Sequence, residues 1–367
     1  MRFNSFDPDM LLKDDLQGAR RNHEKWWAGE GLVFWVTAPR DPGPRDAGLR
    51  REPAPPADLE ERWYGPEYRA ALGEYTALST YWGGDAFPIA SGWSAAGDLG
   101  VFLGSRVELE PQTVWMHPTI EDPDAVSRIR LDTQNRWLKR HHEMAKTMVE
   151  RSEGRYYVGM PDLAENIDVL ASLRGTAPLL MDMIDRPEWV EGRLREINEA
   201  YYEVFDLFYD LVGDQAGGNA FVFYLWGPGR TAKVQCDACS MFGPDFFRRF
   251  VVPTLTEQCE WLDFSMFHLD GESCLPNLEP LLEIEPLHAI EWTPSKLSVG
   301  ESGGMPKWYD LYRRILAAGK SVQAIGVRPD EVIPLLDACG SKGLYIMCRA
   351  ESEAQARELE ERVDRYR

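Results

Sequence analysis

The chain has 367 residues, 44% of them hydrophobic, and 60 acidic against 40 basic side chains give it a net charge of −20. A field of that sign repels phosphate backbones and anionic lipid, so neither nucleic acid nor a membrane is an expected partner. The length suits one large α/β barrel or two medium domains, and six Cys in a chain this long do not read as a disulfide framework. With no apolar signal core at the N-terminus and no apolar run long enough to span a bilayer, a soluble cytoplasmic protein is expected.

The spacing of Leu11, Leu12, Leu16, Trp26 and Trp27 predicts a helix over 9–29. "GLVFWVTAPR" (31–40) follows as a buried strand, and the Pro-rich, charged stretch 41–60 as a loop. A helix is expected over 66–83, a strand at "DAFPIASGW", a hairpin or excursion over 101–122 and a long helix over 123–152. Strand and helix then alternate: "YYVGMPDL", two helices over 166–213, "AFVFYLWGPG" as one strand, and "AKVQCDA" as a short one. After a helix that must accommodate Pro253 come the strands "DFSMFHLDG", "LHAIEWTP", "SVQAIGV" and "GLYIMCRA", each followed by a helix. Apolar strands alternating with helices imply a parallel sheet covered on both faces. No Gly-x-Gly-x-x-Gly follows the first strand, which disfavours a dinucleotide fold. The simplest closure of about eight such strands is a (β/α)8 TIM barrel with an N-terminal helical extension: residues 1–65 hold the extension and first strand, and residues 66–367 the barrel.

In such a barrel the chemistry lies at the C-terminal ends of the strands. The residues there are Arg40, Asp85, Asp162, Trp226 with Arg230, Asp237, His268 with Asp270, Glu291 with Trp292, Arg328, and Cys348 with Arg349. His268 and Asp270, two apart on a strand, face one side and can share a metal; alternatively the carboxylate fixes the imidazole at a turn. Cys236 and Cys239 form a lone Cys-x-x-Cys, better read as buried thiols flanking Asp237 than as a zinc site. Arg230 either pairs with a substrate carboxylate or holds a loop through a salt bridge. Asp168 is a helix N-terminal residue. Trp93, Tyr224, Trp226 and Trp292, with Asp162, are candidate pocket residues.

"DVLASLRGTAPLLMDMIDRPEWVEGRLREI", "CDACSMFGPDFFRRFVVPTL" and "FHLDG" resemble, in order and spacing, segments of the uroporphyrinogen decarboxylase-like superfamily. The resemblance spans about residues 155–349 and, more weakly, 66–110. It implies a (β/α)8 barrel and one of two chemistries: cofactor-free decarboxylation of a tetrapyrrole, or zinc-dependent methyl transfer involving corrinoid proteins. The decarboxylases carry an Arg-rich stretch after the first strand where this chain has "FWVTAPRDPG", which argues against haem-pathway decarboxylation. The methyltransferases hold zinc through His-x-Cys and a later Cys; here His268, Asp270 and Cys348 stand at or near those places. The resemblance therefore implies a methyltransferase-like enzyme acting on a small molecule. His268, Asp270 and Cys348 would hold a divalent metal, expected to be Zn2+, and Asp237, Glu291 and His268 would be the catalytic groups. A corrinoid would arrive on a partner protein. The rival expectations are carbohydrate or decarboxylation chemistry on Asp237, Asp270 and Glu291, and a non-catalytic ligand-binding barrel.

Overall fold

The computed structural model describes residues 12–40, 51–91, 97–213 and 218–367. Thirteen strands occur among them: β1 (Val33–Pro39), β2 (Thr80–Gly84), β3 (Ile89–Ala90), β4 (Arg106–Leu109), β5 (Val114–His117), β6 (Tyr157–Val158), β7 (Asn219–Phe221), β8 (Leu225–Gly227), β9 (Thr231–Gln235), β10 (Phe264–Asp270), β11 (Ala289–Thr293), β12 (Ser321–Val327) and β13 (Leu344–Arg349). Seven of them form one sheet in the order β2-β1-β13-β12-β11-β10-β9, parallel throughout except for β2, which runs antiparallel to β1 at the edge. The result is a mixed α/β fold around a mostly parallel central sheet. β1, grouped by sequence with the N-terminal extension, is hydrogen-bonded between β2 and β13.

The central strands are apolar because both faces are covered: Val33 to Val36, Met266 to Phe267, Ala289 to Ile290 and Leu344 to Ile346 are all buried. Next to the β9 edge lie the short strands β7, β6 and β3. Met160 N–H donates to Ala220 O at 2.9 Å, linking the segment after β6 to β7, and β6 pairs in parallel with β3. The Asn219 side chain bonds both backbone groups of Thr231, tying β7 to β9.

The helix expected over 66–83 ends at Ser79, where β2 begins, and the one expected over 123–152 starts at Arg136. Three further expectations are corrected. "AFVFYLWGPG" is not one strand but a hairpin: β7 runs out, Val222–Tyr224 form a 3₁₀ turn, and β8 returns antiparallel to β7. The span 166–213 holds three helices, Asn166–Arg174, Thr176–Asp185 and Pro187–Val212, punctuated by Gly175 and Pro187. The proposed strand at 85–93 is reduced to Ile89–Ala90 among the described residues. The hairpin at 101–122 is present as β4–β5. Pro253 is accommodated as expected, just beyond a π-turn at Phe247–Val251 that re-routes the backbone bonds it would break.

The first described helix, Leu16–Trp27, seals the N-terminal ends of the sheet strands. Trp26 Nε1 donates to Gly343 O at 3.1 Å, Trp27 Nε1 to Trp226 O at 2.9 Å, and Ser321 Oγ to Trp26 O at 2.6 Å. His23 is fully buried here among Trp35, Phe87, Trp226 and Tyr345. Burial pushes its pKa down to about 4 despite the nearby Asp85. A group held neutral in the fold but free to protonate when unfolded stabilises the protein fully above its unfolded value of about 6.5, and that stability is lost as pH falls towards 4. The expected loss over that window is about 3 kcal/mol. Urea unfolding of wild type and His23→Leu at pH 7 and pH 4.5 checks it: the variant should have a visibly flatter pH dependence, and equal slopes would contradict the assignment.

Candidate functional site

With the N-terminal ends sealed, the accessible side is at the C-terminal ends of the parallel strands. A cavity of about 510 Å³ lies there, lined by Asp162, Phe223, Tyr224, Gln235, Asp237, His268 and Met347 among others. In the β9–β10 register His268 sits beside Gln235, so Asp237, two residues beyond Gln235, and Asp270, at the end of β10, flank the imidazole. Asp237, His268 and Asp270 each bring a ligand atom within 4.8 Å of the others. Gly271 turns the chain away directly after Asp270 with φ +82°, where a Cβ would meet Ser295 Oγ at 2.5 Å.

Two supports fix this group. Behind it, the fully buried Glu291 of β11 accepts a short hydrogen bond from His268 Nδ1 and another at 2.7 Å from Thr293 Oγ1. A carboxylate only accepts, so it holds the proton on Nδ1 and leaves Nε2 as the free ring nitrogen. Burial alone would lower the His268 pKa, but the charge and hydrogen bond of Glu291 outweigh it and the net shift is upward. Beside it, Asp168 accepts from the backbone N–H of Asp237 at 2.8 Å and of Ala238 at 2.9 Å. Asp168 is thus a first-turn helix residue, as expected, whose carboxylate also anchors the Asp237 turn. Burial and then the Asp168 charge push the Asp237 carboxyl up to about 6.

Behind the cavity wall, bonded to its lining residues Asp162 and Gln235, stands a buried cation. Lys233 lies 1% exposed in the middle of β9, and its Nζ is 2.7 Å from Asp162 Oδ1. Nζ also donates to Gln235 Oε1, and the buried Glu165 accepts from Gln235 N–H. Burial opposes the Lys233 charge, but Asp162 and Glu165 overcome it and raise its pKa, so the ammonium persists. The Phe223 ring stands between this cation, 5.8 Å away, and the His268 ring, 4.7 Å away. The available signal was a lysine between Ala232 and Val234 in an otherwise apolar strand.

Backbone strain gathers at the same place. Four non-glycine residues, Ala164, Asn166, Phe223 and Tyr224, have φ between 40° and 63°. Each such residue costs of order 1–3 kcal/mol, and such residues cluster at ligand sites. Asn166 Nδ2 donates to Gln235 O, Gln323 Nε2 to Phe223 O and Tyr345 Oη to Tyr224 O, which hold three of the four strained residues in place.

The other candidates divide as follows. Asp162 and Tyr224 line the cavity. Trp226 does not: on the returning strand β8, its ring is 6.5 Å from His23 and under the Arg20 guanidinium, at the sealed end. Arg230 immediately precedes β9 at that same end, pairing with Asp206 at 3.1 Å and stacking on Trp261, so the loop-holding reading is the one observed. Trp292 alternates with Glu291 and packs on Trp308. Cys348 does not join His268 and Asp270. It alternates along β13 with Met347, which lines the His268 cavity, and the charges acting on its thiol are Glu331 and Asp330. Asp237 takes its place in the cluster. Cys236 and Cys239 are buried, as read from the sequence, and burial raises the Cys236 thiol to about 12. Trp93 lies outside the described residues. No helix among the described residues is long and apolar enough to cross a membrane.

No family model matches the chain, and no curated protein matches it.

Proposed function

We propose that this chain is a metal-assisted enzyme of the uroporphyrinogen decarboxylase-like superfamily, built on a (β/α)8 barrel and acting on a small molecule. The convergence of Asp237, His268 and Asp270 beside the cavity carries the reading. Closure of the sheet is supported by the bonds that run from β9 through β7 and β6 to β3, and by Asp85 N–H donating to Phe34 O of β1 at 2.7 Å. The donor set fits a divalent cation: two carboxylates and an imidazole whose far nitrogen already has a carboxylate partner. Without a thiolate it is harder than a thiol-rich zinc site and suits Mn2+ or Fe2+ as well as Zn2+. Bound there, such an ion supplies Lewis-acid polarisation of a substrate oxygen or sulfur. The chain's own residues do the rest. Glu291 orients His268, Asp168 orients Asp237, and Phe223 and Tyr224 wall the cavity against water. The reaction class we assign is methyl transfer to or from a small molecule with a corrinoid carried on a partner protein. It rests on the resemblance of residues 155–349; the site contributes the metal-binding half.

Chelator-stripped protein titrated calorimetrically with Mn2+ or Zn2+ should take up one equivalent, and His268→Ala or Asp270→Asn should weaken that binding at least tenfold. Absence of saturable binding in the wild type, or unchanged affinity in both variants, removes the metal reading. Methylcobalamin mixed with metal-loaded protein and a panel of thiols tests the reaction class, since demethylation changes the visible spectrum. An unchanged spectrum throughout removes methyl transfer while leaving the metal site standing.

A further inference from the structure

The cavity beside His268 does not end at Tyr224. A second space of about 570 Å³ shares Thr76, Trp82, Tyr224 and Met347 with it and continues towards Thr37 and Arg349. Charge is distributed unevenly along the pair. Among the described residues, the first cavity is lined by Asp162, Asp237 and His268 and by no Lys or Arg. The second has, among them, no acidic lining residue and one cation, Arg349. In a chain of net charge −20, where the neighbouring Arg328 is paired with Glu331, Arg349 is exposed and makes no ion pair with the described residues. Between the two ends the walls are aromatic and apolar, with the Trp35 and Tyr224 rings tilted against each other 4.8 Å apart.

We propose that the joined cavities bind an elongated organic monoanion, with its carboxylate or phosphodiester on Arg349, its apolar body along Tyr224 and Met347, and its reacting end at Asp237, His268 and Asp270. This names the substrate class of the site described above, and it rests on the metal-site reading only for which end reacts. Polarity fixes the orientation. In the metal-free protein an anionic group at the Asp237–Asp270 end meets like charge, whereas at the other end it meets a guanidinium with no ion pair among the described residues, whose planar fork suits both oxyanions. One cation matches one negative charge; a polyanion would face the surrounding negative field. The length follows from the sheet. Three strand spacings separate β10 from β13, roughly 14 Å along the sheet at about 4.8 Å each, so the ligand body is on the order of 10 Å. The strained pair Phe223–Tyr224 has the role of keeping the Tyr224 ring on the boundary common to both spaces.

The test uses 3-phenylpropionate, methyl phenyl phosphate (a phosphodiester monoanion) and the neutral 3-phenylpropionamide, titrated calorimetrically at low salt into the full chain treated with chelator. Wild type should bind at least one of the anions tenfold or more tighter than the amide, and the tighter anion identifies the oxyanion the site takes. Arg349→Gln should erase that preference, and Arg349→Lys should keep part of it. Arg349 is exposed, so both variants should keep the wild-type melting temperature. Equal binding of anion and amide, no saturable binding of either anion, or a preference that survives Arg349→Gln would each overturn the proposal. His268→Ala and Asp270→Asn separate the two readings: lost metal binding with intact anion preference supports both. A wild type that prefers anions but takes up no metal retains the Arg349 assignment and fails the metal reading alone.

Discussion

Replacing Lys233 with Met should lower the stability of the fold by about 3–5 kcal/mol, one of the largest single-residue effects expected in this chain. The lysine itself is not the source of most of that loss. An ion pair this deep recovers little more than its own desolvation cost, and a well-packed apolar side chain of similar volume would serve nearly as well if both partners were exchanged. The damage comes from what stays behind. Asp162 and Glu165 are 4% and 1% exposed, and they lose the one ammonium between them. Glu165 is buffered, because burial already holds its carboxyl well above the usual range despite the neighbouring cation. Asp162 therefore carries the stranded charge. Lys233→Met combined with Asp162→Asn should recover a substantial part of the loss in urea unfolding. If the double variant is no more stable than the single one, the burden does not lie in the orphaned carboxylate.

The second large effect falls on the site rather than on the fold. Glu291→Gln keeps the shape of a fully buried side chain and a hydrogen-bonding oxygen near Thr293, so unfolding should change little. What it removes is the negative charge that keeps the proton on Nδ1 of His268 and raises its basicity. Outer partners of this kind are worth about 10–100-fold in metal affinity. Glu291→Gln should therefore weaken Mn2+ or Zn2+ binding by that factor at pH 7, measured by calorimetry. The raised His268 pKa also sets a sign: the wild-type ring keeps its second proton to a higher pH than an isolated imidazole, and an incoming ion must displace it. Uptake should strengthen as pH rises from 6 to 8. A variant that binds metal as tightly as wild type would show that Glu291 does not act through the imidazole.

How much was legible in the sequence follows the physics of each element. β10, β11, β12 and β13 were readable because strands covered on both faces appear as short apolar runs bounded by turn residues. The β7–β8 hairpin was not, since "AFVFYLW" contains no Gly, Asn or Pro where the chain reverses. Phe223 and Tyr224 enter the left-handed region unaided, and tertiary hydrogen bonds hold them there. That one misreading also misplaced Trp226 and Arg230, because reversing β8 sends both to the opposite end of the sheet. The Asp270–His268 pair was found from period-two alternation alone. The same alternation, applied to Met347 and Cys348, would have removed Cys348 in favour of Asp237. Lys233 is not legible from the strand ends, because a buried cation belongs to the strand interior, where a partner such as Asp162 can reach it from another element.

The helix that seals the base of the sheet has a bearing on how the chain acquires its structure. Trp26 and Trp27 sit within the first thirty residues, yet Trp26 finds its hydrogen-bond partner 317 positions later, at Gly343, and Trp27 finds its own at Trp226. Contacts of such sequence separation slow folding, because a long loop must close before they contribute anything. On the ribosome Trp27 emerges 199 residues ahead of Trp226, and Trp26 emerges 317 residues ahead of Gly343. Until those partners emerge this helix is an apolar surface waiting for them, and the arrival of β13 is the event that conceals Trp26.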